Sequence, residues 1–309
     1  MKILGIGNAI VDVICKVNDE FIINNKLTKS NMKLIFDENE FKKLLSSLKI
    51  EKTISGGSVA NSIVGLSQLG NDVGFIGKIS DDELGKEYEI GLKKENVKYI
   101  YNKKKETLPT GTCLILVTPD SERTMCTFLG TAGKINEDDV DDEVVKNSEI
   151  TFLEGYLWDE GNPKKAFDKA IKNSNKVAMS LSDLFCVERH KQNFLELVKN
   201  KLDIVFANEQ EILSLTDSNS FDDVISFTKE LKKEIIITRG AKGAVSISKN
   251  KVVSCPAKDN LKLIDLTGAG DLFAAGYLHG YINNLSIKEC LNKGTELSSK
   301  IIQKIGARI

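Results

Sequence analysis

The chain has 309 residues, of which 41% are hydrophobic and 28% are charged, so it is long enough to bury the core of one large α/β domain. Its 43 Lys and Arg residues nearly balance its 44 Asp and Glu residues. This balance argues against nucleic acid and anionic membranes as partners and favours a small-molecule ligand. The six cysteines form no C-x-x-C pair and stand in apolar surroundings, which predicts buried free thiols in a reducing cytosol.

The first residues, "MKILGIGNAIVDVICKV", are apolar but are interrupted by Asn8 and Asp12. They contain no small-residue cleavage site, so we expect a first strand at residues 3–6 rather than a signal peptide. No run approaches the roughly 18 apolar residues that a membrane span needs. Together these features predict a cytoplasmic protein.

The elements predicted before about residue 130 do not follow a regular order. "GGSVANSIVGLSQLG" is typical of a glycine turn that opens a helix, "DVGFIG" of a buried strand, and "DDELGKEYEIGLKKEN" of an amphipathic helix. The runs "TGTCLILVTPD" and "ERTMCTFLG" lie on either side of a turn and predict a hairpin. Strands from parts of 10–50 and 97–130 are therefore predicted to form a small β lid over one edge of the molecule.

From about residue 138 helices and strands alternate regularly, through the strand "EIIITRG". Two short strands, "GAVSISKN" and "KVVSCPA", and two long helices at about 269–283 and 286–304 follow. Strands separated by helices of about 10 to 15 residues indicate βαβ units and a parallel sheet. We therefore expect residues 1–309 to form one doubly wound α/β domain. Ligands bind beyond the carboxyl ends of the strands in such folds, so Asn8, Asn208, Thr238 and the 265–271 turn should lie on that side.

The stretch "DLTGAGDLFAAGYLHG" places Gly268, Ala269 and Gly270 before Asp271 and an apolar helix. Glycines allow a close approach of the backbone to a ligand, and a helix N-terminus offers free N–H groups that hold an anion. A carboxylate beside a phosphate suits phosphoryl transfer, where a base accepts the proton of the attacking hydroxyl. The alternative is a glycine-rich turn with an acidic helix cap.

The stretch "GGSVAN" repeats this arrangement, with Gly57 and Ser58 opening a helix and Asn61 one turn later. Ser58 could be a simple helix cap, and Asn61 could be solvated or could bind vicinal hydroxyls. Asp12, within the apolar "GNAIVDV", needs a partner if it is buried, which could be sugar hydroxyls or a basic residue.

Two further buried strands end in polar residues. In "FANEQEI", Asn208 and Glu211 share one face of a first helical turn. They could bind Mg²⁺ through water, or they could form a helix-capping pattern. In "ITRGAKG", Thr238 and Gly240 could meet a phosphate by hydroxyl and backbone N–H, or could form a plain turn.

The remaining features predict ordinary structure. His190 and His279 lack metal-ligand spacing, and Trp158 is typical of core packing. No G-x-x-x-x-G-K-[ST] segment is present, which excludes a P-loop kinase, and "GIGNAIVD" lacks the third glycine of the dinucleotide fingerprint.

Taken together, four motifs resemble the ribokinase-like (PfkB) family of carbohydrate and nucleoside kinases. "DLTGAGDLFAAGY" is similar to its D-T-x-G-A-G-D signature in the form D-x-T-G-A-G-D, and "GGSVAN" to its N-terminal signature. "NEQE" resembles its N-x-x-E motif and "TRGAKG" its T-x-G turn. The four occur in family order across residues 5–308.

The resemblance implies an ATP-dependent kinase with a ribokinase-like fold. In it Asp271 would be the base, and Gly268, Ala269 and Gly270 would form the anion hole. Asn208 and Glu211 would organise Mg²⁺ and its waters, and Thr238 and Gly240 would contact ATP. Asp12, Gly57, Ser58 and Asn61 would bind the substrate. The family often uses a monovalent cation such as K⁺ near this loop, and the lid could be a cover, a homodimer interface or both.

Within the family the chain resembles bacterial adenosine kinase-like members, through "GNAIVDV", "GGSVANS", "FLGTAG" and "SLSDLFCVERHK". This implies transfer to the 5′-hydroxymethyl group of adenosine. An adenine base would need an apolar or aromatic clamp, for which Phe128, Leu129 and Phe185 are candidates. A sugar such as ribose or fructose would need more polar groups, and a nucleoside-binding protein without catalysis is the alternative of another class.

Overall fold

The computed structural model describes residues 1–102, 104–120, 122–248 and 251–309. The strands in chain order are β1 (Ile3–Ile6), β2 (Ile10–Lys16), β3 (Met32–Leu34), β4 (Ile50–Ser55), β5 (Val73–Ile76), β6 (Lys98–Tyr99), β7 (Gly111–Val117), β8 (Arg123–Phe128), β9 (Ile150–Glu154), β10 (Val177–Ser180), β11 (Ile204–Asn208), β12 (Glu234–Thr238), β13 (Ala244–Ser248) and β14 (Lys251–Cys255). The α-helices are α1 (Asp19–Asn24), α2 (Glu38–Ser46), α3 (Ser58–Gln68), α4 (Glu83–Lys94), α5 (Asp142–Lys146), α6 (Asn162–Asn173), α7 (Leu184–Asn200), α8 (Glu209–Thr216), α9 (Phe221–Glu230), α10 (Ala269–Ile282) and α11 (Ile287–Ile301).

A large sheet forms the centre of the molecule, in the order β14-β13-β12-β11-β10-β9-β1-β5-β6 among the described residues. The pairs from β12 through β6 are parallel, and β13 and β14 are antiparallel. Its central strands are short, buried apolar runs such as "ILGI" and "VGFI", as expected for strands covered on both faces. The predicted doubly wound α/β architecture is confirmed. Residues 249 and 250, the end of the predicted strand "GAVSISKN", lie outside the described residues.

Helices cover both faces of this sheet. On one face α3, α10 and α11 pack against each other and the sheet, and α10 is buried from Leu272 to Leu278. On the other face α6, α7 and α8 surround a second apolar cluster that contains Phe167 and Phe194. The sheet is therefore the middle layer of three, and its strand ends are the edges left open for a ligand.

A small sheet in the order β3-β8-β7-β2-β4 lies beside the large one. The predicted hairpin is confirmed, since β7 and β8 pair antiparallel with Leu114 opposite Cys126. The expected segments contain its strands, although β4 runs on to Ser55 and residues 98–99 join the large sheet as β6. Residues 103 and 121 of the expected lid lie outside the description.

The six cysteines are buried and free, as the sequence predicts. No helix in the described part of the chain is long and apolar enough to cross a membrane.

Candidate active site

A cavity of about 820 Å³ lies at the carboxyl ends of the parallel strands, below the small sheet. Asn8 follows β1, Asn208 ends β11, Thr238 ends β12, and all three line it with the turn 266–271. The sequence-based expectation that these segments meet at one edge is confirmed. Most of the other predicted site residues also line the cavity, namely Asp12, Gly57, Ser58, Asn61, Glu211, Gly268, Ala269, Gly270 and Asp271. Of the predicted site residues, Gly240 does not; it begins the short turn after β12.

Asp271 stands in the first turn of α10, whose N-terminus no side chain caps. Its Oδ1 accepts from the Ser58 hydroxyl at 2.6 Å, and its Oδ2 accepts from the Asn61 amide at 3.0 Å. Burial raises the pKa of Asp271 to about 6, while the Ser58 and Asn61 donors oppose that rise. The carboxylate is therefore held in a fixed orientation and is ionised at neutral pH, as a general base requires.

Gly268 makes the turn before α10 possible. It has φ of 77°, and a Cβ there would come within 2.7 Å of Ala307 Cα. The Ala269 N–H already donates to the Leu266 carbonyl at 3.2 Å, so within the described residues the free donors of this first turn are the N–H groups of Gly270 and Asp271. Two N–H groups and the positive end of a helix thus face the cavity beside a carboxylate.

Gly57 has φ of 97°, and a Cβ there would lie 2.2 Å from the Asn8 carbonyl oxygen. A Cβ on Gly56 would meet the Asp12 carboxylate at 2.4 Å. The two glycines therefore let the start of α3 approach Asn8 and Asp12 closely. Burial raises the pKa of Asp12 to about 7, because the effect of Arg308 offsets the loss of hydration only in part.

Glu154 is a site residue that the sequence analysis missed. It ends β9 with only 1% of its surface exposed. Its oxygens accept from the Val59 N–H at 2.9 Å and from the Asn8 N–H and side-chain amide at 3.3 and 3.1 Å. It thereby joins the start of α3 to the end of β1. Burial raises its pKa to about 7 against these three donors. An acid ending the buried strand "ITFLE" was the signal that could have found it.

Asn208 and Glu211 form a capping box at the start of α8. The Glu211 N–H donates to Asn208 Oδ1 at 2.9 Å, and Glu211 Oε2 accepts from the Asn208 N–H at 3.0 Å. The capping alternative is therefore correct locally, and both side chains also line the cavity. Burial raises the pKa of Glu211 to about 7. No cluster of three or more His, Cys, Asp or Glu suited to a metal exists among the described residues.

The charges beside Thr238 are already paired. Arg239 donates to Glu209 at 2.7 Å and its guanidinium lies 3.5 Å above the Phe221 ring, while Lys242 lies 3.6 Å from Glu209. A phosphate near Thr238 would thus meet two cations that share one carboxylate, a group with a net positive charge.

The small sheet turns an apolar face to the cavity. Ile10, Cys113 and Ile115 line the cavity and form a buried cluster with Ala132, and Met125 packs against this cluster. Other apolar or aromatic residues that line the cavity include Met32, Leu34, Leu129, Tyr156, Trp158 and Phe185.

Of the three clamp candidates, Leu129 and Phe185 line the cavity, but Phe128 is outside it. Phe128 is 4% exposed and stacks on Phe41 at 5.0 Å between ring centroids. Thr127 beside it faces the cavity, and successive residues of a strand point to opposite faces.

Trp158, which the sequence analysis assigned to packing, and His190, for which it expected a structural or surface role, also line the cavity. His190 packs edge-on against Trp158 at 4.7 Å and interrupts α7 with φ of −119° and ψ of 23°. His279 instead contacts Asn71 away from the cavity, in agreement with a structural role.

An ion pair joins the small sheet to the turn before α10. Arg123, on β8, donates to Asp265 Oδ2 at 2.6 Å. The other oxygen of Asp265 accepts from the Thr267 N–H at 3.0 Å and its hydroxyl at 2.7 Å. The position of the small sheet is therefore coupled to the backbone that presents Gly270 and Asp271.

The three-layered fold, with a helix N-terminus and a carboxylate at the strand ends and a small sheet over them, defines a ribokinase-like small-molecule kinase. The sequence profile described as pfkB family carbohydrate kinase matches residues 26–309. The chain belongs to this family, and it is an ATP-dependent kinase.

Its relatives include both nucleoside and sugar kinases. Adenosine kinase 2 of Arabidopsis thaliana is 26% identical, over 98% of this chain and 94% of that protein. An uncharacterized sugar kinase of Archaeoglobus fulgidus is 28% identical, over 79% of this chain and 97% of that protein.

Two solved structures are similar at 36% identity. The adenosine kinase from Sinorhizobium meliloti has a TM-score of 0.90, covering 100% of this chain and 95% of that one. A probable sugar kinase from Rhizobium etli has a TM-score of 0.89, covering 99% of this chain and 94% of that one.

Proposed function

We propose that this kinase transfers the γ-phosphoryl group of ATP to the 5′-hydroxymethyl group of a nucleoside, with adenosine as the preferred acceptor. The observation that carries the acceptor class is the apolar face of the small sheet, built on Ile10, Cys113 and Ile115. Asp12, two residues after Ile10 on β2 and paired with Cys113, and Asn61 of α3 line the same cavity and offer polar groups suited to a ribose. A base needs the first surface and a ribose the second, whereas a free sugar leaves the apolar face without a partner.

In this proposal Asp271 is the base. It accepts the proton of the acceptor hydroxyl as that oxygen forms its bond to the γ-phosphorus and the bond from phosphorus to ADP breaks. The Gly270 and Asp271 N–H groups stabilise the negative charge on the transferred group. Ser58 and Asn61 hold the carboxylate in place.

ATP and its magnesium belong at the β11 and β12 end of the cavity. Thr238 lines this end, and Gly240 opens the turn that follows. Glu211 and Asn208 would hold Mg²⁺ through water, which fits a site with one carboxylate, because Mg²⁺ takes most of its other ligands from water and phosphate oxygens. When bound, the ion neutralises phosphate charge. A requirement for K⁺ and a homodimer through the small sheet both stay predictions.

The second candidate is a kinase of free sugars, favoured by the sugar kinases among the relatives. A coupled ADP-release assay with Mg²⁺ and adenosine, guanosine, inosine, ribose, fructose or 2-keto-3-deoxygluconate separates the two. We expect the highest kcat/KM on adenosine. A higher value on any of the sugars would contradict the acceptor assignment and keep the chemistry.

If none of these acceptors is turned over, the proposal that the protein phosphorylates one of them is contradicted. Calorimetric titration of adenosine would then identify a nucleoside-binding protein without catalysis.

A further inference from the structure

We infer that Arg308 is a positioning residue of this site: it fixes the orientation of the Asn61 amide and thereby presents a hydrogen-bond donor to Asp271. The inference rests on the proposed function only in treating Asp271 as the base. The contacts themselves form a continuous chain, in which Arg308 Nε donates to Asn61 Oδ1 at 3.1 Å and Asn61 Nδ2 donates to Asp271 Oδ2 at 3.0 Å.

The orientation of Asn61 matters because a side-chain amide can present either its oxygen or its NH₂ group to a neighbour. A guanidinium has donors only, so Arg308 can bond only to the oxygen of Asn61. The NH₂ group is then left facing Asp271 and favours the ionised carboxylate. In the opposite orientation the amide oxygen would face Asp271 and favour the protonated acid.

The backbone delivers Arg308 to this place by a second set of contacts. The Ile264 N–H donates to the Ile302 carbonyl at 2.8 Å, and the Gly306 N–H donates to Asp265 Oδ2 at 2.7 Å. Ala307 packs directly on Gly268. The segment after α11 therefore lies along the turn that precedes Asp271, which fixes where the next side chain can reach.

The guanidinium is also well placed to act by its charge. Its Nη1 donates to the Ser55 hydroxyl at 2.9 Å, whereas Nη2 is buried without a hydrogen-bond partner in the described part of the chain. The positive charge of Arg308 lowers the pKa of Asp271 and of Asp12, in both cases against the larger effect of burial. Titratable and charged groups that face Arg308 or Asp271 from neighbouring elements are Asp12, Tyr88, Glu95, Glu154 and Tyr156, and Arg123 in turn acts on Asp12.

The direct test is a ¹³C NMR titration of the aspartate carboxyls, with Asp271 assigned by its loss in D271N. In R308M, which loses the donors and the charge, we expect the pKa of Asp271 to rise by about one unit. Lys304→Met is the matched control, because it removes one positive charge from an exposed position of the same segment. It should leave the pKa of Asp271 unchanged. An unchanged pKa in folded R308M, or an equal rise in K304M, would overturn the inference.

A double-variant comparison separates the amide from the charge. If Arg308 acts through Asn61, the R308M substitution raises the pKa of Asp271 less in an N61A background than in the wild type. Equal rises in both backgrounds would overturn the relay through Asn61. If R308M does not fold, R308L replaces it in both tests and is judged by the same criteria, since it is also neutral and without donors.

A kinetic readout accompanies the titration. R308M should lower kcat and move the acidic limb of the pH–rate profile to higher pH by the same shift, with KM for ATP unchanged. A loss of kcat without movement of that limb would contradict the role assigned to Arg308. The NMR titration needs no turnover. A protein that is inactive on every acceptor would therefore refute the proposed function, while the titration would still decide whether Arg308 positions Asn61.

Discussion

Replacing Asp271 with Asn removes the proposed base and keeps its shape. The neighbours can accommodate the change, because the Ser58 hydroxyl can turn to accept from the new amide while Asn61 continues to donate to its oxygen. D271N should therefore fold and bind ATP nearly as the wild type does, and a loss of turnover would report the loss of the base.

The pKa of Asp271, about 6, sets the size and pH dependence of the effect. Roughly nine-tenths of this carboxyl is ionised at pH 7 and about one-tenth at pH 5. D271N should be slower at pH 7 by about 10²-fold or more, which corresponds to about 3 kcal/mol of barrier. The ratio of wild-type to D271N turnover should fall about tenfold between pH 7 and pH 5. The ratio is the diagnostic, since Asp12 and Glu154 titrate in the same window.

The assay is saturating ADP release at each pH, with ATP affinity measured separately by calorimetry. Asp259→Asn is the matched control, because it makes the same chemical change at an exposed position of the preceding loop. It should retain wild-type turnover. Turnover of D271N equal to that of the wild type would remove Asp271 from the role of base. A loss that is the same at pH 5 and pH 7 would show that the carboxylate does not titrate as the structure requires.

Three further predictions concern the surroundings of this residue. Burial raises the folded-state pKa of Glu154 to about 7, so the wild type should lose about 3 kcal/mol of unfolding free energy as the pH rises from ~4.5 to ~7. Glu154→Gln should abolish this loss. Urea denaturation across this pH range measures it, and an equal dependence of the unfolding free energy on pH in the variant would refute the prediction. Arg123→Met, by breaking the bond to Asp265, should lower kcat by roughly tenfold and speed hydrogen exchange in the loop 264–268, and unchanged exchange would contradict the coupling. Ile115→Asn should raise KM for adenosine by roughly 30-fold, which corresponds to a loss of about 2 kcal/mol of apolar contact, and should leave KM for ATP unchanged. The control Val252→Asn, on an exposed strand position, should keep the wild-type KM for adenosine. An unchanged KM for adenosine in Ile115→Asn would exclude the small sheet as the base pocket.

The parts of the site that could be predicted share one local signature. Gly57 and Gly268 each precede a helix whose first turn carries polar side chains, so one short stretch contains both the close backbone approach and the donors. Asn208 and Thr238 end apolar strands, and the carboxyl ends of parallel strands meet at one edge. The alternating pattern after residue 138 predicted that edge, and therefore the neighbourhood of these residues.

The parts that could not be predicted depend on partners far apart in the chain. Glu154 binds Asn8 across 146 positions, and Arg308 binds Asn61 across 247. Each is a single charged residue with no repeating pattern around it, so only the folded topology shows its partner. Phe128 was misplaced for a different reason: the hairpin was predicted, but the sequence did not reveal which of the alternating residues of β8 face the cavity.

The protonation state of Asp271 distinguishes a catalyst from a protein that only binds its ligand. A binding protein needs only a hydrogen bond to the acceptor hydroxyl, which a neutral amide supplies as well as a carboxylate does. Here Ser58, Asn61 and Arg308 all act to keep Asp271 ionised although burial raises its pKa to about 6. An ionised group in such surroundings costs stability, and catalytic sites commonly carry that cost.

This cost predicts that D271N is more stable than the wild type above pH 6 although its turnover is slower. The folded-state pKa of Asp271 lies above the ordinary value of 3.8, so its contribution to stability is lost as pH rises through about 6. The shift alone gives ~3 kcal/mol, and partial exposure of the side chain to water reduces this to about 1–2 kcal/mol. Urea denaturation of both proteins at pH 8 and pH 5 measures the difference. If D271N is more stable than the wild type at pH 8 but not at pH 5, the ionised Asp271 carboxylate lowers stability and is retained for reactivity. Equal stabilities at both pH values would contradict this prediction and show that the ionisation of Asp271 carries no cost in stability.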